Sequence, residues 1–141
     1  MADIHHEIKV RAAPERIREA LSTAAGLESW HGGRVVSADG GWRFEFADGG
    51  PIFRWAVRPA ASADEIVWRC VQGPGDSVGT EASFKISGAD KGRTLVEFAH
   101  RGWPHTGGNF RKCNTQWAIL LHCLREFAET GKAAPALKAP A

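Results

Sequence analysis

The stretch NFRKCNTQWAILLHCLREFAETG, residues 109–131, decides the fold. Phe110, Cys113, Trp117, Leu120, Leu121, Leu124 and Phe127 recur at three- and four-residue spacing, which lays one apolar stripe along a helix of about six turns. Asn109 suits an N-cap, and Gly131 suits the left-handed stop that ends many helices. A helix this long with one apolar face needs a broad surface to lie against.

The residues upstream supply that surface. Trp42, Phe44 and Phe46 alternate with Arg43 and Glu45. Phe53, Trp55 and Val57 alternate with Arg54 and Arg58, and Ile66, Trp68 and Cys70 with Val67 and Arg69. Ala82, Phe84 and Ile86, then Val96, Phe98 and His100, repeat the pattern. Period-two alternation of this kind marks half-buried strands. The turns Asp39-Gly40-Gly41 and Asp48-Gly49-Gly50 separate them at hairpin distance, and a weaker strand is expected over Arg34–Ser37. The result is an antiparallel meander with one aromatic face and one charged face. Ahead of it, Ile4, His6, Ile8 and Val10 form a first strand. Ala13-Pro14-Glu15 opens a short helix, with Pro14 in the first turn where its missing N–H costs nothing. Gly26 ends that helix or opens a second one carrying Leu27 and Trp30.

The expected fold class is therefore α+β. A curved antiparallel sheet of about six or seven strands wraps round the long C-terminal helix, and two short helices follow the first strand: a helix-grip arrangement. At 141 residues the chain suits one domain, expected over residues 1–131, with the Ala- and Pro-rich residues 132–141 as a flexible tail. Eighteen Lys and Arg against sixteen Asp and Glu, interspersed along the chain, exclude the concentrated basic face of a nucleic-acid-binding protein. No apolar run approaches the roughly 20 residues of a membrane helix, and the N-terminus lacks a secretory pattern, so no membrane insertion and a cytoplasmic location are expected. Three scattered cysteines make no disulfide framework.

Several local phrases resemble the START and birch-pollen-allergen (SRPBCC) superfamily, which includes the polyketide cyclases. More narrowly, they resemble its branch named for the C-terminal domain of the activator of the heat-shock-protein-90 ATPase. They are residues 8–17 (Ile8 through Ile17), Ala20-Leu21, Leu27-Glu28-Ser29-Trp30, residues 79–84, residues 95–103 and residues 117–124, ending in Glu129-Thr130-Gly131. Where family members often carry a tryptophan pair, this chain has Trp30-His31. The resemblance implies the helix-grip fold and a hydrophobic or amphipathic ligand. It also brings two other expectations: a cyclase-, dehydratase- or hydrolase-type enzyme, or a chaperone-binding module. The eukaryotic activator's separate N-terminal domain is not expected within 141 residues.

Six Trp and seven Phe in so small a chain are hard to close-pack, so an apolar cavity of ~300–1,000 Å³ is expected between sheet and long helix. Its expected lining is Trp42, Phe44, Phe53, Trp55, Trp68, Phe84, Phe98, Trp117 and Leu121, with His100 in phase with Val96 and Phe98. Trp30 and His31 are expected at the mouth, and Cys113 on the helix face turned inward. Each of these also reads as ordinary core, since aromatic rings have the most apolar surface to bury. His100 and His31 are the candidate acid–base groups. Against a reaction, Glu45, Glu81 and Glu97 fall on the outward phase, and no Gly-x-Ser-x-Gly elbow is present. No catalytic residue is assigned. Neither a Cys-x-x-Cys pair nor a His-Glu-x-x-His motif occurs, and His122 and Cys123 point about 100° apart on a helix, so no metal is expected. The glycine pairs sit in hairpins, which excludes a dinucleotide site, and no cofactor is expected. A monomer or a homodimer is expected.

Overall fold

The computed structural model describes residues 1–88 and 90–141. The chain runs β1 (Ala2–Val10), α1 (Pro14–Ser22), α2 (Ala24–Trp30), β2 (Arg34–Ala38), β3 (Gly41–Glu45), β4 (Phe53–Arg58), β5 (Glu65–Gln72), a 3-10 turn (Gly75–Ser77), β6 (Glu81–Gly88), β7 (Thr94–Trp103) and α3 (Asn109–Thr130). The seven strands form one antiparallel sheet in the order β1-β7-β6-β5-β4-β3-β2. Thus β2 to β7 are the expected meander, and the first strand closes against the last.

Register puts the aromatic residues on one face. Trp42 lies opposite Trp55, Trp55 opposite Cys70, Trp68 opposite Ala82 and Phe84 opposite Phe98. The β2–β3 hairpin turns through Asp39 and Gly40, both at positive φ (51° and 75°), a two-residue loop whose twist matches that of the strands. The opposite face carries charged pairs, the half-buried Arg43–Glu45 at 3.2 Å and the more exposed Arg69–Glu81 at 3.7 Å, which add little stability.

α3 lies on the aromatic face with Trp117, Leu120, Leu121, Leu124 and Ala128 buried. Gly131 stops it at φ 74°, its N–H donating to the Phe127 carbonyl. Its start differs from the sequence reading. Gly108 occupies the N-cap position, and Asn109 lies within the first turn, where its Nδ2 donates to the Pro74 carbonyl at 3.1 Å. The asparagine fastens the helix to the loop after β5 instead of capping its own backbone.

α1 and α2 pack as a pair against the end of the sheet. Thr23 links them, its Oγ1 accepting the Gly26 N–H at 3.0 Å. Gly26 is held tight against Ala20 and Glu19, so it serves close helix packing and does not break α2. Glu28 accepts the Val35 N–H and sets the start of β2.

Residues 132–138, read from composition as part of a loose tail, are held by main-chain hydrogen bonds. The N–H groups of Ala134, Ala136 and Leu137 donate to the carbonyls of Ser29, Trp30 and His31, while Gly33 and Ala47 donate to the carbonyls of Leu137 and Lys138. Gly32 is needed here, because a Cβ at that position would collide with the Leu137 carbonyl. Alanine and proline carry little side-chain entropy to lose, so a few main-chain bonds suffice to dock such a segment.

Candidate functional site

Most of the aromatic face is solid. Trp68 and Phe84 are fully buried, with ring centroids 5.0 Å apart, and Phe84–Phe98 and Phe98–Trp117 follow at 5.1 and 4.3 Å. These are tilted and edge-on contacts of the kind aromatic rings prefer, and they fill the space in which a large cavity was expected. Phe44 and Leu121 belong to the same packed set. Trp30 is also core and not mouth: it is fully buried between α1 and α2, its Nε1–H donating to the Ala20 carbonyl at 2.9 Å. Trp42 is half-buried against the core and lies outside the open space.

What remains open is a two-part pocket at the β3–β4 end. The inner chamber, of about 70 Å³, is lined by His31, Phe46, Phe53, Trp55, His100, Cys113, Gln116, Trp117, Leu120 and Leu137. It is far smaller than the cavity expected from composition. It adjoins a wider mouth of about 310 Å³ formed by Phe46, Pro51, Phe53, Pro74, Asn109, Lys112, Cys113, Gln116 and Leu137. Of the thirteen residues expected at the site, the chamber brings together His31, Phe53, Trp55, His100, Cys113 and Trp117. The other seven lie in the core or beside it.

Four chamber residues, Phe46, Gln116, Leu120 and Leu137, lie outside the set expected from sequence. Phe46 follows Trp42 and Phe44 in the strand phase, and Leu120 follows Trp117 in the helical one, so both were legible. Gln116 is a polar residue sitting in the inward stripe one turn from Cys113 and Leu120, a sign of space that is not wholly apolar. Leu137 is the lone long apolar side chain in an Ala/Pro-rich segment.

The two histidines differ. Trp117 Nε1–H donates to His100 Nδ1 at 3.0 Å. The neutral ring therefore carries its proton on Nε2, which donates to Thr80 Oγ1 at 2.7 Å, and the Thr80 hydroxyl donates on to the Ser77 carbonyl at 2.6 Å. Both ring nitrogens are taken, and burial lowers the pKa of His100 to about 4. This chain of bonds is a strut tying α3 to β7 and to the segment between the 3-10 turn and β6. In His31, Nδ1–H donates to the Gly32 carbonyl at 3.3 Å, which leaves Nε2 as an acceptor with no protein partner among the described residues. Burial, partly offset by that bond, lowers its pKa to about 4 as well. Both rings are neutral at pH 7.

Burial, with the neighbouring Cys70 thiol adding to it, pushes Cys113 up to about 11, so it is a thiol and not a thiolate. Cys70 is raised by burial too. All three cysteines are free. The indole N–H groups of Trp68 and Trp103 are buried without a partner, and neither lines the pocket. Among the described residues no group of three or more His, Cys, Asp or Glu is placed to hold a metal, and no helix is long and apolar enough to cross a membrane.

A seven-stranded antiparallel sheet gripping one long helix defines an α+β helix-grip domain of the START type. No family model and no curated protein matches the chain. Solved structures do. The chain is similar to the protein described as the Aha1 dimer from Colwellia psychrerythraea, at 31% identity and a TM-score of 0.79, covering 94% of this chain and 99% of that one. At the level of fold it is similar to XoxI from Bacillus cereus (TM-score 0.75, 10% identity, 91% of this chain and 96% of that one). It is also similar to DynU16, a protein of the dynemicin biosynthetic locus, whose length it spans by about half (TM-score 0.75, 19% identity, 93% of this chain and 48% of that one). The identity and coverage shared with the Colwellia protein place the chain in the Aha1 family.

Proposed function

We propose that this chain binds a small apolar or amphipathic molecule in the pocket between β3, β4 and the N-terminal half of α3. The observation that carries the reading is the continuity of chamber and mouth, which share Phe46, Phe53, Cys113, Gln116 and Leu137. An apolar wall with a few fixed polar groups is the usual build of a small-molecule site. The mouth takes the body of the ligand, and the chamber, with room for only a few non-hydrogen atoms, takes its tip. With both histidines neutral, that tip is an uncharged group, because a charge there would lose its hydration without gaining a counter-charge. Intrinsic tryptophan fluorescence and melting temperature, followed against a panel of lipids, aromatics and polyketide-like compounds, test the reading. Saturable quenching with a raised melting temperature is expected, since a ligand of the folded state alone must stabilise it. A well-folded protein that responds to no member of the panel contradicts it.

A second property is favoured by the Colwellia relative, which is described as a dimer. We infer that this chain also self-associates as a homodimer. Light scattering coupled to size-exclusion chromatography should give twice the monomer mass at micromolar concentration, and a concentration-independent monomer mass would refute it.

A further inference from the structure

Three features of the pocket, taken in order from outside to inside, narrow the ligand. The mouth has one charged lining residue, Lys112, and no carboxylate. Among the described residues Lys112 has no salt-bridge partner, although five Arg–carboxylate ion pairs occur elsewhere. The middle of the pocket is aromatic, with Phe53 and Trp55 stacked at an interplanar angle of 8° and Phe46 edge-on to Phe53 at 75°. Such walls fit a flat apolar body better than a branched one. At the inner end His31 Nδ1 is occupied by the Gly32 carbonyl, so the open nitrogen is an acceptor that calls for a donor.

The spacing along α3 shows the direction in which the pocket runs. Lys112 lines the mouth and Leu120 the chamber, eight residues apart and so about 12 Å along the helix axis. We propose that the ligand is an amphipathic monoanion, a flat aromatic carboxylic acid whose carboxylate meets Lys112 and whose far end presents a hydroxyl or N–H to His31 Nε2. This rests on the pocket being a ligand site. Lys112 is exposed and its contribution is accordingly modest and sensitive to salt. The acceptor at the inner end acts at any salt concentration.

Calorimetric titration with para-hydroxycinnamate, cinnamate and para-hydroxycinnamyl alcohol separates the parts. A neutral apolar dye, N-phenyl-1-naphthylamine, reports the pocket independently by displacement. The hydroxy acid should bind most tightly. Removing its charge or its hydroxyl should each weaken binding about fivefold, in the range of an exposed ion pair or a neutral hydrogen bond. In Lys112→Gln the acid should lose its advantage over the alcohol, as it should in wild-type protein at high salt. In His31→Phe the hydroxyl should lose its value. If acid and alcohol bind equally well and Lys112→Gln changes nothing, the anion assignment is overturned while the pocket stands. If the dye binds saturably but none of the three compounds displaces it, the ligand class is wrong. If the dye fails to bind as well, the pocket reading falls with it.

Discussion

The two ends of the sheet's aromatic face were built by one sequence pattern and came out differently. Over β5, β6 and β7, Trp68, Phe84 and Phe98 are each 2% exposed or less and pack as core, with the Trp117 ring of α3 against Phe84 and Phe98. Over β3 and β4, Phe46 and Phe53 lie under Cys113 and Gln116 and are half-buried round an opening. The strands alternate in the same way at both ends, so the difference comes from the helix. From Trp117 onward it offers a large ring and branched leucines, all buried in the core. Its N-terminal half offers a small thiol and an amide that leave gaps, and Leu137 from the docked C-terminal segment closes the side of the space left over.

The largest effect that distinguishes the two regions is loss of a ring. Phe84→Ala should cost about 3–5 kcal/mol in chemical denaturation, the range for a buried Phe leaving a cavity. Phe53→Ala should cost about 1 kcal/mol or less and instead weaken ligand binding, because part of its surface already faces the pocket. Equal stability losses at the two positions would erase the distinction.

Acid should break the site histidines next. Each has an unfolded pKa near 6.5 and a folded one of about 4, so the unfolded chain binds more protons between those values. Stability should therefore be flat above about pH 7 and fall as pH drops from 6.5 towards 4, by up to about 3 kcal/mol for each histidine. His100→Gln should remove about half of that slope in denaturation curves taken across the range. A slope of the opposite sign would mean that the rings are charged in the folded protein.

Cys113 reports the openness of the mouth. Raised from 9.0 to about 11, it should react with iodoacetamide at pH 7 about 100-fold more slowly than a free thiol, and bound ligand should slow it further. A rate near that of free cysteine would place the thiol in water. The strut through His100 gives a smaller effect. Thr80→Val leaves the imidazole N–H buried without an acceptor and should cost about 1–3 kcal/mol, read as a lowered melting temperature with unchanged secondary structure. Last, Leu137→Ser should leave stability within about 1 kcal/mol and weaken binding of the neutral dye, because Leu137 lines both chamber and mouth; unchanged dye binding would take Leu137 out of the binding surface.

Much of this was legible in the sequence because local periodicity carries it. The long helix ends at Gly131 as its spacing and stop residue indicate, and each expected strand from β1 to β7 is present. Two kinds of feature were not legible. One is a main-chain role for a polar side chain: Asn109 reads as a cap, and only the tertiary fold brings the Pro74 carbonyl within its reach. The other is the docking of residues 132–138, which depends on carbonyls of α2 and on Gly32 leaving room, neither of which leaves a pattern in the segment itself. For the pocket, alternation said which residues face inward but not how tightly they pack. Trp68 and Phe53 look alike in sequence, and only what lies across from them makes one core and the other wall.

The most direct test of that distinction is a nuclear magnetic resonance titration of the folded protein with a ligand found in the panel, following aromatic and methyl signals. The largest shifts are expected at Phe46, Phe53, Trp55 and Leu137, with the Trp68 and Phe84 rings scarcely moved. Shifts centred on Trp68, Phe84 and Phe98 would contradict the distinction, because the ligand would then be entering the packed core.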